Sequence, residues 1–463
     1  MQQLISKSGS VDATLTRLLS VVFAVVLVSC GGGSGSGNNP TYTVGGTISG
    51  LASGKSVELD LLVAGAHAAF NNVDKDGLFR FAERLSTDDV YDIRVSTQPI
   101  GQTCTVSNGS GKIATSNVTG ITIACSTSGQ FAYVVNEGTN EVSMYAINAS
   151  TGLLTALSPS TITTGDASYP ESISINPAGS FAYVTNYGSR TVSMYAINAS
   201  TGLLTALSPS TISTNSPYSV AINPAGSFAY VVNRSNNTVS MYAINSSTGI
   251  LTALSTPTIA TGNTPLSITI NPAGSFAYVT NNGNSTVSMY AINSSTGILT
   301  ALSTPTIATG MRPYATAISP TGNFAYVVNQ NGNTVSMYSI NASTGLFTAL
   351  STPTIATGIG PYSIAIDPAG SFAYVTNYHS NTVSMYAING STGILTALSA
   401  PTIATGSLPH SIAIDSLGSF AYVTNESGNT VSMYSINAST GLLTALSPDN
   451  TVTSRSPRSI AIK

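Results

Sequence analysis

Three residues suited to hydrolytic chemistry hold the same place in three copies of a repeated segment. Glu171, His410 and Arg458 each follow a proline that opens an apolar strand (Pro170, Pro409 and Pro457). A carboxylate and an imidazole can orient a water and move its proton, and a guanidinium can hold an oxyanion. If the copies close into a ring, the three become neighbours at one mouth of its channel. The same three can instead pair off internally as an ion cluster at the closure seam.

The other copies carry Tyr218, Leu266, Tyr314 and Tyr362 at that place. A second variable position holds Glu137, Tyr187, Arg234, Asn282, Gln330, Tyr378 and Glu426. Both positions fall on one end of the ring, because strands alternate in direction. Variation on one end of a constant framework is how a scaffold presents a recognition surface. Tyr and Arg are the types that anchor interfaces. Tyr218, Tyr314, Tyr362, Tyr187 and Tyr378, with Arg234 and Arg312, are therefore the candidate contacts for a protein or glycan ligand. The main expectation is a binding scaffold, with hydrolysis at the mouth as the alternative.

The elements that position these residues repeat visibly. Phe-Ala-Tyr-Val-(Val/Thr)-Asn begins at Phe131, Phe181, Phe228, Phe276, Phe324, Phe372 and Phe420, at intervals of 50, 47 and then 48 residues. Each unit reads as four strands joined by Gly, Pro, Asn and Ser turns. Seven all-strand units of this length predict a seven-bladed β-propeller over residues 127–463. The first unit lacks an inner strand, and the chain ends with an unused one, Pro457 to Ile462. The C-terminal strand is thus expected to complete the first blade.

Literal Tyr-Val-Thr-Asn stands at 183–186, 278–281, 374–377 and 422–425. Here the chain resembles the YVTN-repeat propellers and the wider lactonase-like seven-bladed propeller family. The resemblance implies hydrolysis of a sugar-acid lactone, or the related lactone-forming cyclisation, with His, Arg and Glu around the mouth. His410, Arg458 and Glu171 match that set. Only three His occur in the whole chain, and Arg312 is the one other basic residue near the start of an inner strand, which suits a phosphorylated substrate poorly.

Residues 1–29 read as a signal peptide, with Lys7 and Arg17 before an apolar stretch too short to span a bilayer. Leu27-Val28-Ser29-Cys30 resembles the lipobox of bacterial lipoproteins, which implies that Cys30 is lipidated. That places the chain in the cell envelope, anchored to a membrane, with the outer membrane expected because Gly31 follows the cysteine. Residues 30–40 form a flexible tether. Residues 41–126 read as a small immunoglobulin-like β-sandwich. Cys104 and Cys125 remain as an even pair in an oxidising compartment, and a disulfide is expected.

Charge separates the two parts. Lys and Arg number 14 and Asp and Glu 17, yet only 14 of these lie within 127–463. So few basic residues exclude a nucleic-acid surface. At 42% hydrophobic residues, disorder by charge excess is excluded too. Asp74-Lys75-Asp76-Gly77 reads as a turn, since no Glu follows at the spacing of a calcium loop. No phosphate loop, dinucleotide fingerprint, serine elbow or metal-spaced His pair occurs, so neither cofactor nor metal is expected.

Overall fold

The computed structural model describes residues 40–463, apart from 53, 98, 100, 101, 128 and 167. Residues 1–29, expected to be a signal peptide, and Cys30 lie outside the described residues.

The N-terminal module has eight strands: β1 (Thr41–Ser49), β2 (Val57–Val63), β3 (Ala66–Val73), β4 (Gly77–Ser86), β5 (Val90–Thr97), β6 (Gln102–Ser107), β7 (Ser110–Lys112) and β8 (Val118–Thr127). They form two four-stranded sheets, in the orders β4-β1-β8-β6 and β3-β2-β5-β7. Val44, Leu59, Phe81, Ile93 and Ile123 belong to one buried core. Cys104 and Cys125 face each other across the β6–β8 ladder and form a disulfide. Closing a loop of this size stabilises by about 3 kcal/mol on the chain-entropy view. Asp76 braces its turn by accepting the N–H groups of Gly50 and Leu51 at 2.9 and 2.8 Å.

The ring consists of seven four-stranded antiparallel blades. In each, the Phe-Ala-Tyr-Val-x-Asn strand is almost wholly buried, and the outermost strand is mostly exposed. The tyrosine of this motif rivets one blade to the next. Tyr183 donates its hydroxyl to the carbonyl of Gly249 at 2.7 Å, in the Asn-x-Ser-Thr-Gly turn of the following blade. The same bond recurs around the ring, ending with Tyr422 to Gly152 at 2.8 Å. Glycine is required there for two reasons. Gly249 adopts φ +72°, and a Cβ would stand 2.3 Å from the ring of Phe181. The motif's Asn braces its own hairpin, as Asn186 Nδ2 donates to Ser193 Oγ at 2.8 Å.

The ring closes as the strand count requires. Pro457–Ile462 pairs antiparallel with Gln130–Asn136, aligning Ile460 with Val134. The four strands of that blade therefore come from both ends of the domain.

One irregularity positions the site. Every inner strand shifts register just after its proline, for example between Pro170 and Ser172 and between Pro313 and Ala315. The bulge leaves the variable residue outside the ladder and re-aims it. Seven variable residues thereby converge on the channel.

Candidate active site

The channel mouth is lined by Glu171, Tyr218, Leu266, Tyr314, Tyr362, His410 and Arg458, over a second tier of Ser172, Ser219, Ser267, Ala315, Ser363, Ser411 and Ser459. The free space among them is about 140 Å³. Ligand pockets of drug-sized molecules run to roughly 300–1,000 Å³, so this mouth has room only for a small molecule.

The mouth has a charged wall and an aromatic wall. On the charged wall, Arg458 Nη1 donates to Glu426 Oε2 at 2.7 Å and Nε donates to Glu137 Oε2 at 2.7 Å. Nη2 donates to the same Glu137 oxygen. Glu171 Oε2 lies 3.9 Å from Arg458 Nε. Burial works against the charge on Arg458, but Glu171, Glu426 and Glu137 outweigh it and hold the guanidinium protonated.

Glu171 is the unusual carboxyl of the four-residue cluster. Its side chain is 9% exposed, and its buried Oε2 has no hydrogen-bond partner. Burial pushes its pKa up to about 7; Arg458 pulls it down, Glu137 pushes it up, Arg234 lowers it and Glu426 raises it. A buried carboxyl titrating near neutrality is matched to proton transfer.

On the aromatic wall, Tyr218 Oη and Tyr314 Oη are hydrogen-bonded at 2.6 Å, and Tyr314 Oη meets His410 Nε2 at 3.3 Å. These residues come from blades three, five and seven, so the bridge crosses the mouth. Tyr314 stacks on Tyr362 with centroids 4.2 Å apart, and Tyr362 stacks on Tyr378 at 4.3 Å. Tyr378 donates to Glu426 Oε2 at 2.8 Å, joining the two walls. Burial pushes His410 down to about 3, and the charge of Arg458 adds to this. His410 is therefore neutral at ordinary pH and serves as a hydrogen-bond partner of Tyr314.

The structure thus brings together Glu171, His410, Arg458, Tyr218, Tyr314, Tyr362 and Tyr378. Tyr187 stays at the rim, 3.3 Å from Ser235 Oγ. Arg234 is exposed, with its guanidinium 5.3 Å from the Tyr218 ring centre. Arg312 is exposed and does not line the mouth. Of the tyrosines that the sequence offers as surface anchors, Tyr218, Tyr314 and Tyr362 turn inward to line the mouth and bond or stack with one another, Tyr378 stacks on Tyr362, and Tyr187 stays outside. Sequence reasoning did not place Glu137 and Glu426 in the site. Their signal was present: both occupy the second variable position, in blade one, which the C-terminal strand closes, and in the adjacent blade seven.

The family model of the seven-bladed β-propeller lactonases matches residues 63–266, 252–360 and 353–460. The chain belongs to this lactonase family. The first matched segment begins within the N-terminal module, and the overlap of segments reflects near-identical blades. Similar solved structures include a candidate 6-phosphogluconolactonase from Bacteroides fragilis NCTC 9343. It is 20% identical, with a TM-score of 0.64, over 73% of this chain and 98% of that one. The periplasmic gluconolactonase of Pseudomonas aeruginosa is 17% identical, with a TM-score of 0.62, over 72% and 99%. At such identities the likeness establishes the lactonase-type propeller fold. No match is found among curated proteins.

Proposed function

We propose that this propeller hydrolyses a small lactone at the channel mouth, with Glu171 as the general base. The observation that carries the reading is that Glu171, a residue lining the mouth, keeps a buried Oε2 that accepts no hydrogen bond and has only the Arg458 guanidinium near it, at 3.9 Å. Membership of the lactonase family supports it. The inward-turned tyrosines favour it over a surface-binding scaffold, because they line a small cavity instead of an exposed face.

In the reaction, Glu171 takes a proton from a water as its oxygen attacks the lactone carbonyl carbon. Arg458 has five N–H groups, and three go to Glu137 and Glu426. Two remain for the developing oxyanion. Collapse of the tetrahedral adduct breaks the acyl–oxygen bond. The proton held by Glu171 passes to the departing alkoxide, giving the open hydroxy acid. The Tyr314–Tyr362 stack offers a face for the sugar ring.

Charge sets the substrate class. The one guanidinium within the cluster, Arg458, pairs with three carboxyl groups, Arg234 stands exposed beyond the Tyr218 ring, and His410 contributes no charge. Such a mouth repels phosphate and suits an unphosphorylated lactone. Anchoring through a lipidated Cys30 in the cell envelope remains part of the proposal, as does exposure to extracytoplasmic substrates.

The test is proton release from six-membered sugar lactones with and without a phosphate. Turnover of the unphosphorylated lactone, lost in Glu171→Gln, supports the reading. Turnover that survives Glu171→Gln, or none on any lactone, overturns it.

A further inference from the structure

The motif Tyr-Val-x-Asn carries Thr in four blades and Val in three. In sequence this alternation has the look of drift between two β-branched residues of similar shape. In the structure it sorts the mouth residues. Thr185 Oγ1 donates to the backbone carbonyl of Tyr218 at 3.2 Å, and Thr280 Oγ1 to that of Tyr314 at 3.2 Å. Thr376 Oγ1 donates to the carbonyl of His410 at 3.3 Å, and Thr424 Oγ1 to that of Arg458 at 2.9 Å. Each bond runs from one blade to the bulged residue of the next. The same hydroxyls accept the N–H that follows the bulge in their own blade, as Ser411 N to Thr424 Oγ1 at 3.0 Å. The carbonyls of the own-blade serines lie farther away, at 3.4 Å for Thr424.

Val135, Val232 and Val328 stand at this place in blades one, three and five, and they carry no hydroxyl. The blades that follow them bear Glu171, Leu266 and Tyr362. The four pinned residues are therefore the three of the Tyr218–Tyr314–His410 bridge and the guanidinium bearer of the ion cluster. The base itself, Glu171, is left unpinned.

We propose that Thr185, Thr280, Thr376 and Thr424 are positioning residues: their hydroxyls fix the bulged backbone from which the bridge and Arg458 project. The Thr/Val choice thus sets which parts of the mouth are held and which can adjust around a reacting lactone. In its catalytic consequence this rests on the proposed hydrolysis; in its geometry it does not.

Thr424 gives the decisive test, because Arg458 reports on Glu171. The groups facing Glu171 are Arg458, Glu137, Glu426, Arg234 and Tyr218. Of these, Arg458 is the main one that lowers its proton affinity. Thr424→Val keeps shape and removes the donor; Thr424→Ser keeps the donor. The Glu171 carboxyl is followed by carbon-13 NMR in full-length protein, with Val328→Ala as a variant that perturbs packing without removing a hydroxyl. Expected is an upward shift of the Glu171 titration in Thr424→Val, reversed in Thr424→Ser and absent in Val328→Ala. On an accepted lactone, kcat/KM falls roughly tenfold in Thr424→Val, mostly in kcat, as for a misplaced catalytic group. A titration unchanged in Thr424→Val, or shifted equally in Thr424→Ser, overturns the positioning role. Absence of lactone turnover in the unaltered protein counts against the proposed hydrolysis alone, since the NMR titration still decides this inference.

Discussion

Arg458 grips Glu137 across 321 positions of sequence, through two nitrogens on one carboxylate oxygen. The contact joins the C-terminal strand to the first hairpin of the ring, so the ion cluster exists only when the propeller is closed. Deleting residues 457–463 removes both the last strand and the guanidinium. The strand Gln130–Asn136 is then left as an open edge, which invites aggregation. The expected outcome is a sharply lower melting temperature by calorimetry. A truncated protein that melts with the full-length one would contradict this closure.

The inter-blade rivets have a measurable strength. Tyr183→Phe removes one hydroxyl and strands the Gly249 carbonyl in a buried site. It should cost about 1–2 kcal/mol in urea unfolding. Tyr187→Phe, whose hydroxyl meets Ser235 in an exposed position, should change stability by less than about 0.5 kcal/mol. Equal effects from the two would refute the rivet.

Acid should weaken the ring through His410. Its folded-state pKa lies near 3, below the ordinary value of 6.5. The unfolded chain therefore binds the proton more readily. The stability is fully present above 6.5 and is lost as pH falls toward 3, on the order of 5 kcal/mol when complete. Glu171 works in the opposite sense. Its raised pKa gives stability that is present below the ordinary 4.5 and lost as pH rises through about 7. His410→Gln removes the first effect, so its melting temperature should fall less between pH 6 and 3.5. An identical acid profile for both proteins would exclude His410 as the cause.

The repeats make the architecture legible in the sequence. Seven Phe-Ala-Tyr-Val strings, a missing first inner strand and a spare last one lead directly to the closed ring. The placing of Glu171, His410 and Arg458 on adjacent blades follows from the same count. The ion cluster was less legible. Glu137 and Glu426 reach Arg458 from hairpins 321 and 32 positions away, and no local pattern announces such a meeting. The direction of the tyrosines was hidden too. A one-residue bulge after each proline decides whether the next side chain faces the channel, and alternation alone does not reveal a bulge. The Thr/Val sorting was invisible for a related reason: its meaning lies in the neighbouring blade.

Substrate charge offers a further check. Against matched lactones, the phosphorylated form should show at least about tenfold lower kcat/KM, since an uncompensated carboxylate about 4 Å away costs roughly 1–4 kcal/mol between the limits of bulk water and a protein surface. Glu426→Gln should narrow that gap by relieving one negative charge and freeing Arg458 Nη1. Preference for the phosphorylated lactone in the unaltered protein would reverse the assignment of substrate class.

The central claim is that Glu171 is the base, and its pH dependence is the most direct test. The kcat/KM of lactone hydrolysis should rise with pH along a single limb centred near 7, as the buried carboxyl loses its proton. Glu171→Gln should abolish that limb and lower the rate by about 100-fold or more. A limb that persists in Glu171→Gln, or a wild-type rate flat from pH 5 to 8, would contradict the account.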